Sequence, residues 1–378
     1  MNAAKILEYF QQRQGAILDS IREIVDIESP SHNAEQSRVV ADWVEKQARL
    51  TGAEVLIERI SVEDGDHLVI RAFPGDGKHT FLLGHTDTVH PIGTSQKNPT
   101  RIEGDKLYGC GIFDMKSGIV LMLEALRFFA VNGIKPKRPT IILLSCDEEV
   151  GSHSGRPLVE HEAANADRCL VFEPSAAGKV KSGRKGTGTF KLHAHGIPAH
   201  AGLEPEKGAN AILELSRQIE QIHKIAQPDN GTTVNVTTFN GGTTTNVIPE
   251  HAICEIDVRF SKMAEAERVD AAFKTLTAFD DRVDLELSGG INRPPMERTA
   301  KVVEMFEKAR AVAASFDYDL DETQVGGASD GNFVGALGVP VLDGLGISGD
   351  GAHTLNEHIL VSDVAKRATL VTLLLSKI

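Results

Sequence analysis

The sequence predicts an α/β fold, with a mixed, mostly parallel central sheet flanked by helices and a smaller inserted α+β domain. Three observations carry that expectation. Apolar runs end on polar loops at Phe81-Leu82-Leu83, at 139–146 and at 169–172, as in strands covered on both faces. Helix-like segments alternate with these runs, the pattern of a sheet with helices packed on it. Beyond Gly183 the strands change character: Cys254-Glu255-Ile256-Asp257-Val258-Arg259-Phe260 alternates apolar with charged residues, which marks an antiparallel sheet packed on one side.

Taken in order, helical periodicity runs near residues 3–27 and again over 33–51, the second stretch closing at Gly52, a suitable C-terminal cap. Strands are expected at 54–60, 67–73 and 79–84, with Pro74-Gly75-Asp76-Gly77 as a turn. A buried helix is expected over 115–132, ended by Gly133. Between 184 and 292 come a strand at 187–195, a helix at 208–226, strands at 232–240 and 251–260, a helix and a last strand. Gly289-Gly290 and Pro294-Pro295 punctuate the return to helix–strand–helix. The expected domains are therefore 1–183 with 293–378, and an insertion spanning 184–292.

A chain of 378 residues exceeds what one core usually supports. The net charge of −13 argues against nucleic-acid or anionic-membrane partners, which select clustered Lys and Arg, and it suits bound cations. No apolar stretch reaches the about 20 residues of a membrane span, and the charged, amphipathic N-terminus lacks the apolar core of a signal peptide. Cys110, Cys146, Cys169 and Cys254 are far apart and form no C-x-x-C pair, so a reducing, cytoplasmic setting is expected.

The chemistry begins at Gly84-His85-Thr86-Asp87. Positions i and i+2 of extended chain point the same way, and metal-bound imidazoles commonly hold their second nitrogen against a carboxylate. His85 thus reads as a ligand with Asp87 beside it, or as a buried histidine satisfied by an acid. Asp114 lies where a glycine-rich loop becomes a helix, a position that suits helix capping as well as metal binding. Asp147-Glu148-Glu149 follow one apolar strand and Glu173 the next, at the sheet edge where α/β sites form. His353 lies in a glycine-flanked loop near the C-terminus.

The ordered motifs GHTDTVH, GCGIFDMKSG, DEEVGS, FEPS, GIPAHAG, TTTNVIP, DVRF, GGASDGNF and GAHTLNEH resemble a family of dinuclear zinc hydrolases. That family includes glutamate carboxypeptidase, acetylornithine deacetylase, succinyl-diaminopimelate desuccinylase and aminoacylase. The resemblance spans about residues 80–360 and is nearest to glutamate carboxypeptidase. It implies a zinc-exopeptidase type of central sheet. It also implies two Zn²⁺, with Co²⁺ or Mn²⁺ as substitutes: His85, Asp114 and Glu173 on one, Asp114, Glu149 and His353 on the other. The donor types agree, because zinc takes imidazole and carboxylate ligands and catalytic sites keep a position open.

The same resemblance implies catalytic roles for Glu148, as general base and then proton donor to the leaving amine, and for Asp87, orienting His85. His200 would hydrogen-bond the developing oxyanion, across a homodimer in dimeric members, while Asn246 and Arg259 would bind the substrate's free carboxylate. An ion pair of Arg259 with Asp257 or Glu255 is the competing reading. The implied reaction is cleavage of an amide next to a free carboxylate, releasing a C-terminal amino acid such as glutamate from a peptide or N-acyl conjugate. An N-acyl amino acid deacylase is the alternative. His193 and His195 fall on a polar strand face and read as solvated; His90, His153 and His358 match no ligand position. Gly326-Gly327-Ala328-Ser329-Asp330-Gly331 matches a substrate-pocket loop but lacks the lysine of a P-loop.

Overall fold

The computed structural model describes residues 2–378. The chain divides into two compact units, one made of Met1–Gly183, Arg298–Val325 and Ser329–Ile378, the other of Arg184–Glu297 with Gly326–Ala328. Among the described residues no helix is long and apolar enough to cross a membrane.

The first unit opens with α1 (Ala3–Asp26), whose first turn is capped by the Asn2 side chain accepting from the N–H of Ala4, one of the donors a helix start leaves open. Ile6, Phe10, Ile17, Ile21 and Ile24 recur at helical spacing and are buried, an apolar stripe facing the core. Helix α2 (Ala34–Leu50) is capped in the same way by Asn33. Strands β1 (Val55–Val62) and β2 (Gly65–Ala72) pair antiparallel. They are followed by β3 (His79–His85), α3 (Ser117–Val131), β4 (Thr140–Ser145), α4 (Gly155–Ala163) and β5 (Ala166–Val171). Every residue of β3 and β4 is buried, as their continuous apolarity requires.

The second unit contains β6 (Gly186–His195), α5 (Ala211–Lys224), β7 (Thr233–Gly241), β8 (His251–Phe260), α6 (Met263–Phe273) and β9 (Asp284–Arg293). Its four strands form an antiparallel sheet in the order β7-β8-β6-β9. Ala252, Cys254, Ile256, Val258 and Phe260 of β8 are buried in one cluster with Leu215 and Ile222 of α5 and Val269 and Phe273 of α6. The opposite register positions carry His251, Glu255, Asp257 and Arg259, which are only half-buried or exposed. One face of this sheet is packed and the other is polar.

The chain re-enters the first unit with α7 (Ala300–Ala314), β10 (Val341–Leu342) and α8 (Val364–Lys377). The central sheet runs β1-β2-β4-β3-β5-β10. Strands β4, β3, β5 and β10 are mutually parallel, and β2 joins β4 antiparallel, so the sheet is mixed and mostly parallel. Register places His85 level with Ser145 of β4, and Leu83 level with Val171 of β5. Three neighbouring parallel strands therefore end together, and the chain after each leaves from the edge where open α/β sheets place their ligands.

Candidate metal centre

His85 is the last residue of β3 and is buried. Its Nε2 lies 3.2 Å from Oδ1 of Asp114 and 3.4 Å from Oε1 of Glu173. Glu173 reaches that point because it stands two residues past the end of β5, beside β3 in the sheet. Across the site, Nε2 of His353 lies 3.3 Å from Oδ2 of Asp114 and 3.3 Å from Oε2 of Glu149. The two oxygens of Asp114 thus serve different histidines. His85, Asp114 and Glu173 each offer a ligand atom within 4.8 Å of the others, and so do Asp114, Glu149 and His353.

Asp114 does not cap a helix. Residues 112–116 form a kinked turn in which Asp114 itself has non-helical φ −118° and ψ 93°, and α3 begins after Lys116 without a side-chain cap. The loop is held instead by Glu357, which is buried. Its Oε1 accepts the N–H groups of Phe113 and Asp114 at 2.8 and 2.9 Å, and its Oε2 accepts that of Gly111 at 2.8 Å. Nε2 of His90 lies 2.8 Å from the same carboxylate. Gly111 has φ +72°, and a Cβ there would meet Thr88 Cγ2 at 2.5 Å, so the turn admits only glycine.

The run of three acids is sorted by a 3₁₀ turn over Glu148–Val150. Asp147 turns toward α4, its Oδ2 accepting from Ser154 N–H and Oγ at 2.7 and 2.8 Å. Glu149 turns toward His353, and Glu148 lies half-buried between them in sequence. Asp87 fixes this turn: its Oδ1 accepts the N–H of Glu148 at 3.2 Å and its Oδ2 that of Glu149 at 3.1 Å. The same residue faces His85, with the histidine Nδ1 3.0 Å from the Asp87 carbonyl oxygen and 3.3 Å from Oδ1. With Nδ1–H donating there, Nε2 is the nitrogen that faces Asp114 and Glu173 and that would exchange its proton for a cation between them.

The electrostatics of the cluster call for positive charge at its centre. Burial disfavours a charged His85, yet hydrogen bonds to Asp114, Asp87 and Glu173 outweigh it and hold its pKa well above the ordinary value. Hydrogen bonds to Asp114 and Glu149 carry His353 up to about 10. Burial also pushes Asp114 up, but hydrogen bonds to His353 and His85 win and leave its carboxyl far below the usual range. Glu149 is raised, chiefly by burial, and its Oε1 is buried without a hydrogen-bond partner among the described residues. An unmatched buried carboxylate oxygen is costly, and a cation removes the cost. Imidazole nitrogens and carboxylate oxygens in this number suit divalent zinc, so the residues fit a metal pair.

Lys116 and the cysteines take no place in the cluster. The Lys116 ammonium is buried, which lowers its pKa to about 8, and it donates to the Ile27 carbonyl at 2.5 Å. Burial pushes the Cys146 thiol up to about 12, away from thiolate chemistry. Ser329 and Asp330, read from the sequence as part of a pocket loop, are buried. Asp330 accepts from Ser145 Oγ at 3.0 Å and pairs with Ser152 Oγ, bracing the end of β4.

In the second unit, His200 sits on a short two-stranded ladder in which it pairs with Val247. Asn246 lies in the turn just before the second strand of that ladder, and its carbonyl accepts the N–H of Ala201 at 2.9 Å. Nδ1 of His200 accepts the N–H groups of Gly202 and Leu203 at 3.2 and 3.1 Å, so its ring proton is on Nε2, which remains a donor. Arg259 grips the Asp257 carboxylate through Nε and Nη2 at 2.8–3.0 Å.

Residues 81–377 match the model of peptidase family M20/M25/M40. The chain belongs to that family. It is 30% identical over 364 residues to carboxypeptidase G2 of Pseudomonas sp. (strain RS-16), spanning 94% of this chain and 87% of that protein. It is also 30% identical over 325 residues to the succinyl-diaminopimelate desuccinylase of Paracoccus denitrificans, with 80% and 84% covered. Among solved structures, the aminopeptidase PepT of Bacillus cereus superposes with a TM-score of 0.78 at 23% identity, over 96% of this chain and 98% of that one. That likeness shows the fold. As a member of M20/M25/M40, the chain is an amide-hydrolysing enzyme of a metal-dependent family.

The sequence reading names Asp147 within DEEVGS and Asp330 within GGASDGNF, and the tail motif GAHTLNEH contains Glu357, but the bracing contacts these three make with backbone and hydroxyl groups were not read from it.

Proposed function

We propose that this M20 enzyme is a zinc hydrolase that cleaves the amide next to a free carboxylate, releasing a C-terminal amino acid such as glutamate from a peptide or N-acyl conjugate. The observation that carries the reading is the single carboxylate of Asp114 facing His85 with one oxygen and His353 with the other. The 30% identity to carboxypeptidase G2 along 94% of the chain supports the substrate class.

In this reading His85, Asp114 and Glu173 hold one cation, and Asp114, Glu149 and His353 the other. Cations so held would supply Lewis acidity and a nucleophile at neutral pH. Glu148 takes the proton from the attacking water at its carboxylate and returns it to the leaving amine nitrogen, a transfer worth about 10²–10⁴ in rate. Asp87 keeps His85 in the tautomer that binds. The Nε2–H of His200 is the donor for the oxyanion, a contribution of about 3–4 kcal/mol. Asn246 and Arg259 bind the substrate carboxylate. For Arg259 that requires sharing or leaving the Asp257 carboxylate it holds. We place the enzyme in the cytoplasm, on its scattered cysteines with no C-x-x-C pair, and as a homodimer, on the motif resemblance at His200; a monomer by light scattering that stays fully active at high dilution refutes the dimer.

A second reading, an N-acyl amino acid deacylase, is favoured by the identity to succinyl-diaminopimelate desuccinylases. Turnover by the zinc-loaded enzyme decides between them. Faster hydrolysis of acyl-glutamate and glutamyl peptides than of N-acetyl and N-succinyl amino acids supports the carboxypeptidase reading, and the reverse order replaces it with the deacylase.

A further inference from the structure

The polar face of the second unit's sheet carries three histidines at one end. His193 and His195 are i and i+2 on β6 and share a face. His251 of β8 is the register partner of His195. The rings of His193 and His195 lie 3.9 Å apart between centroids, and His251 is 5.5 Å from each. Each histidine offers a ring nitrogen within 4.8 Å of the other two. A zinc ion bound at about 2.0–2.1 Å needs tetrahedral nitrogens roughly 3.4 Å apart, so the widest pair closes by at most about 1.5 Å. His251, exposed at the first position of β8, has room to turn inward.

A carboxylate is already placed behind the group. Glu286 of β9 is level with His193, and its Oε2 lies 3.2 Å from Nε2 of His195. An imidazole that donates from Nε2 to an acid presents Nδ1 as a lone pair, which is how acids orient metal-binding histidines. Crowding favours the same protonation state: burial and the neighbouring His195 and His251 rings keep His193 below its ordinary pKa, leaving it neutral.

We propose that His193, His195 and His251 form a further site for a divalent cation of the borderline class, Zn²⁺ foremost, with Glu286 orienting His195 and one position left to water. The ion would tie β6 to β8 at the open end of the sheet. Three neutral imidazoles supply no anionic donor, so the site selects transition ions over Mg²⁺ and Ca²⁺, which require oxygen. It is separate in chain and chemistry from the carboxylate-rich cluster around Asp114.

The test is calorimetric titration of the full-length protein with Zn²⁺, on wild type and on His195→Asn, His251→Asn and Glu286→Gln. Wild type is expected to take up one more equivalent than either histidine variant, and Glu286→Gln to keep that equivalent with about 10–100-fold weaker affinity. His353→Asn, which removes a ligand of the other cluster, keeps it unchanged. Equal uptake by wild type, His195→Asn and His251→Asn, all folded by circular dichroism, overturns the proposal, as does an equivalent taken up as tightly from Mg²⁺. Loss of the equivalent in His353→Asn but not in the β6 and β8 variants also overturns it, without touching the function proposed for Asp114.

Discussion

Asp87 accepts the backbone N–H of Glu149 at 3.1 Å while standing 3.3 Å from Nδ1 of His85. One carboxylate therefore aims a histidine of one triad and fixes the turn that carries the other triad's glutamate. Ser31 Oγ, 2.7 Å from the same group, holds it in place.

Replacing Asp87 by asparagine keeps the shape and removes the charge. Zinc affinity is expected to fall about 10–100-fold, with turnover falling alongside at limiting zinc. Equilibrium dialysis against a zinc chelator measures it, and an affinity equal to wild type refutes the role.

Glu148→Gln separates base from ligand. Turnover is expected to drop about 10²–10⁴-fold while zinc content stays at the wild-type value, because Glu149 and its partners are untouched. Steady-state kinetics beside metal analysis reads both. Wild-type turnover at full zinc occupancy ends the assignment.

Glu357→Gln should weaken the cradle under Asp114. Oε1 and Oε2 serve three backbone N–H groups and His90; an amide in place of the carboxylate turns one acceptor into a donor. Left without partners, buried donors cost about 1–3 kcal/mol. Urea unfolding is expected to show a loss of that order together with weaker zinc binding, and an unchanged midpoint contradicts it.

Without cations, His353 keeps its proton up to about pH 10, against about 6.5 in an unfolded chain. Over that window the folded chain binds more protons, so this contribution to stability is whole below about pH 6.5 and is lost as pH rises toward 10. Cations need the neutral ring, which makes zinc stabilisation grow in the same direction. In chelator, the gap in melting temperature between wild type and His353→Asn should narrow from pH 6.5 upward; a widening gap contradicts the charge assignment.

Two glycines beside the site differ in what a methyl would strike. At Gly84 a Cβ would meet the mobile end of Met115, Cε at 2.3 Å, whereas at Gly118 it would meet the Phe172 carbonyl oxygen at 2.4 Å. Alanine gains about 1 kcal/mol of helix propensity at Gly118, but overpacking costs about 1–3 kcal/mol or more, and backbone cannot swing aside. Gly118→Ala should therefore destabilise more than Gly84→Ala in thermal unfolding; the opposite order refutes this packing.

Much of the central sheet was legible because strands β3, β4 and β5 announce themselves by unbroken apolarity, and the polar residues just past them mark its ligand-facing edge. His85 and Asp87 could be paired from the i, i+2 rule alone. The sorting of Asp147, Glu148 and Glu149 could not, since three adjacent acids carry no signal for a 3₁₀ turn. Glu357 was invisible for a related reason: its partners at 111–114 are backbone groups some 240 residues away, with no side-chain pattern to betray them. His193 and His195 read as solvated because the register that brings His251 beside them is a property of strand pairing, not of either strand's sequence.

The claim beneath all of this is that Asp114 joins two cation sites. Anomalous diffraction at the zinc edge, on crystals of the zinc-loaded enzyme, tests it most directly. Two peaks are predicted, one among His85, Asp114 and Glu173 and one among Asp114, Glu149 and His353. A single peak, or none touching Asp114, contradicts it.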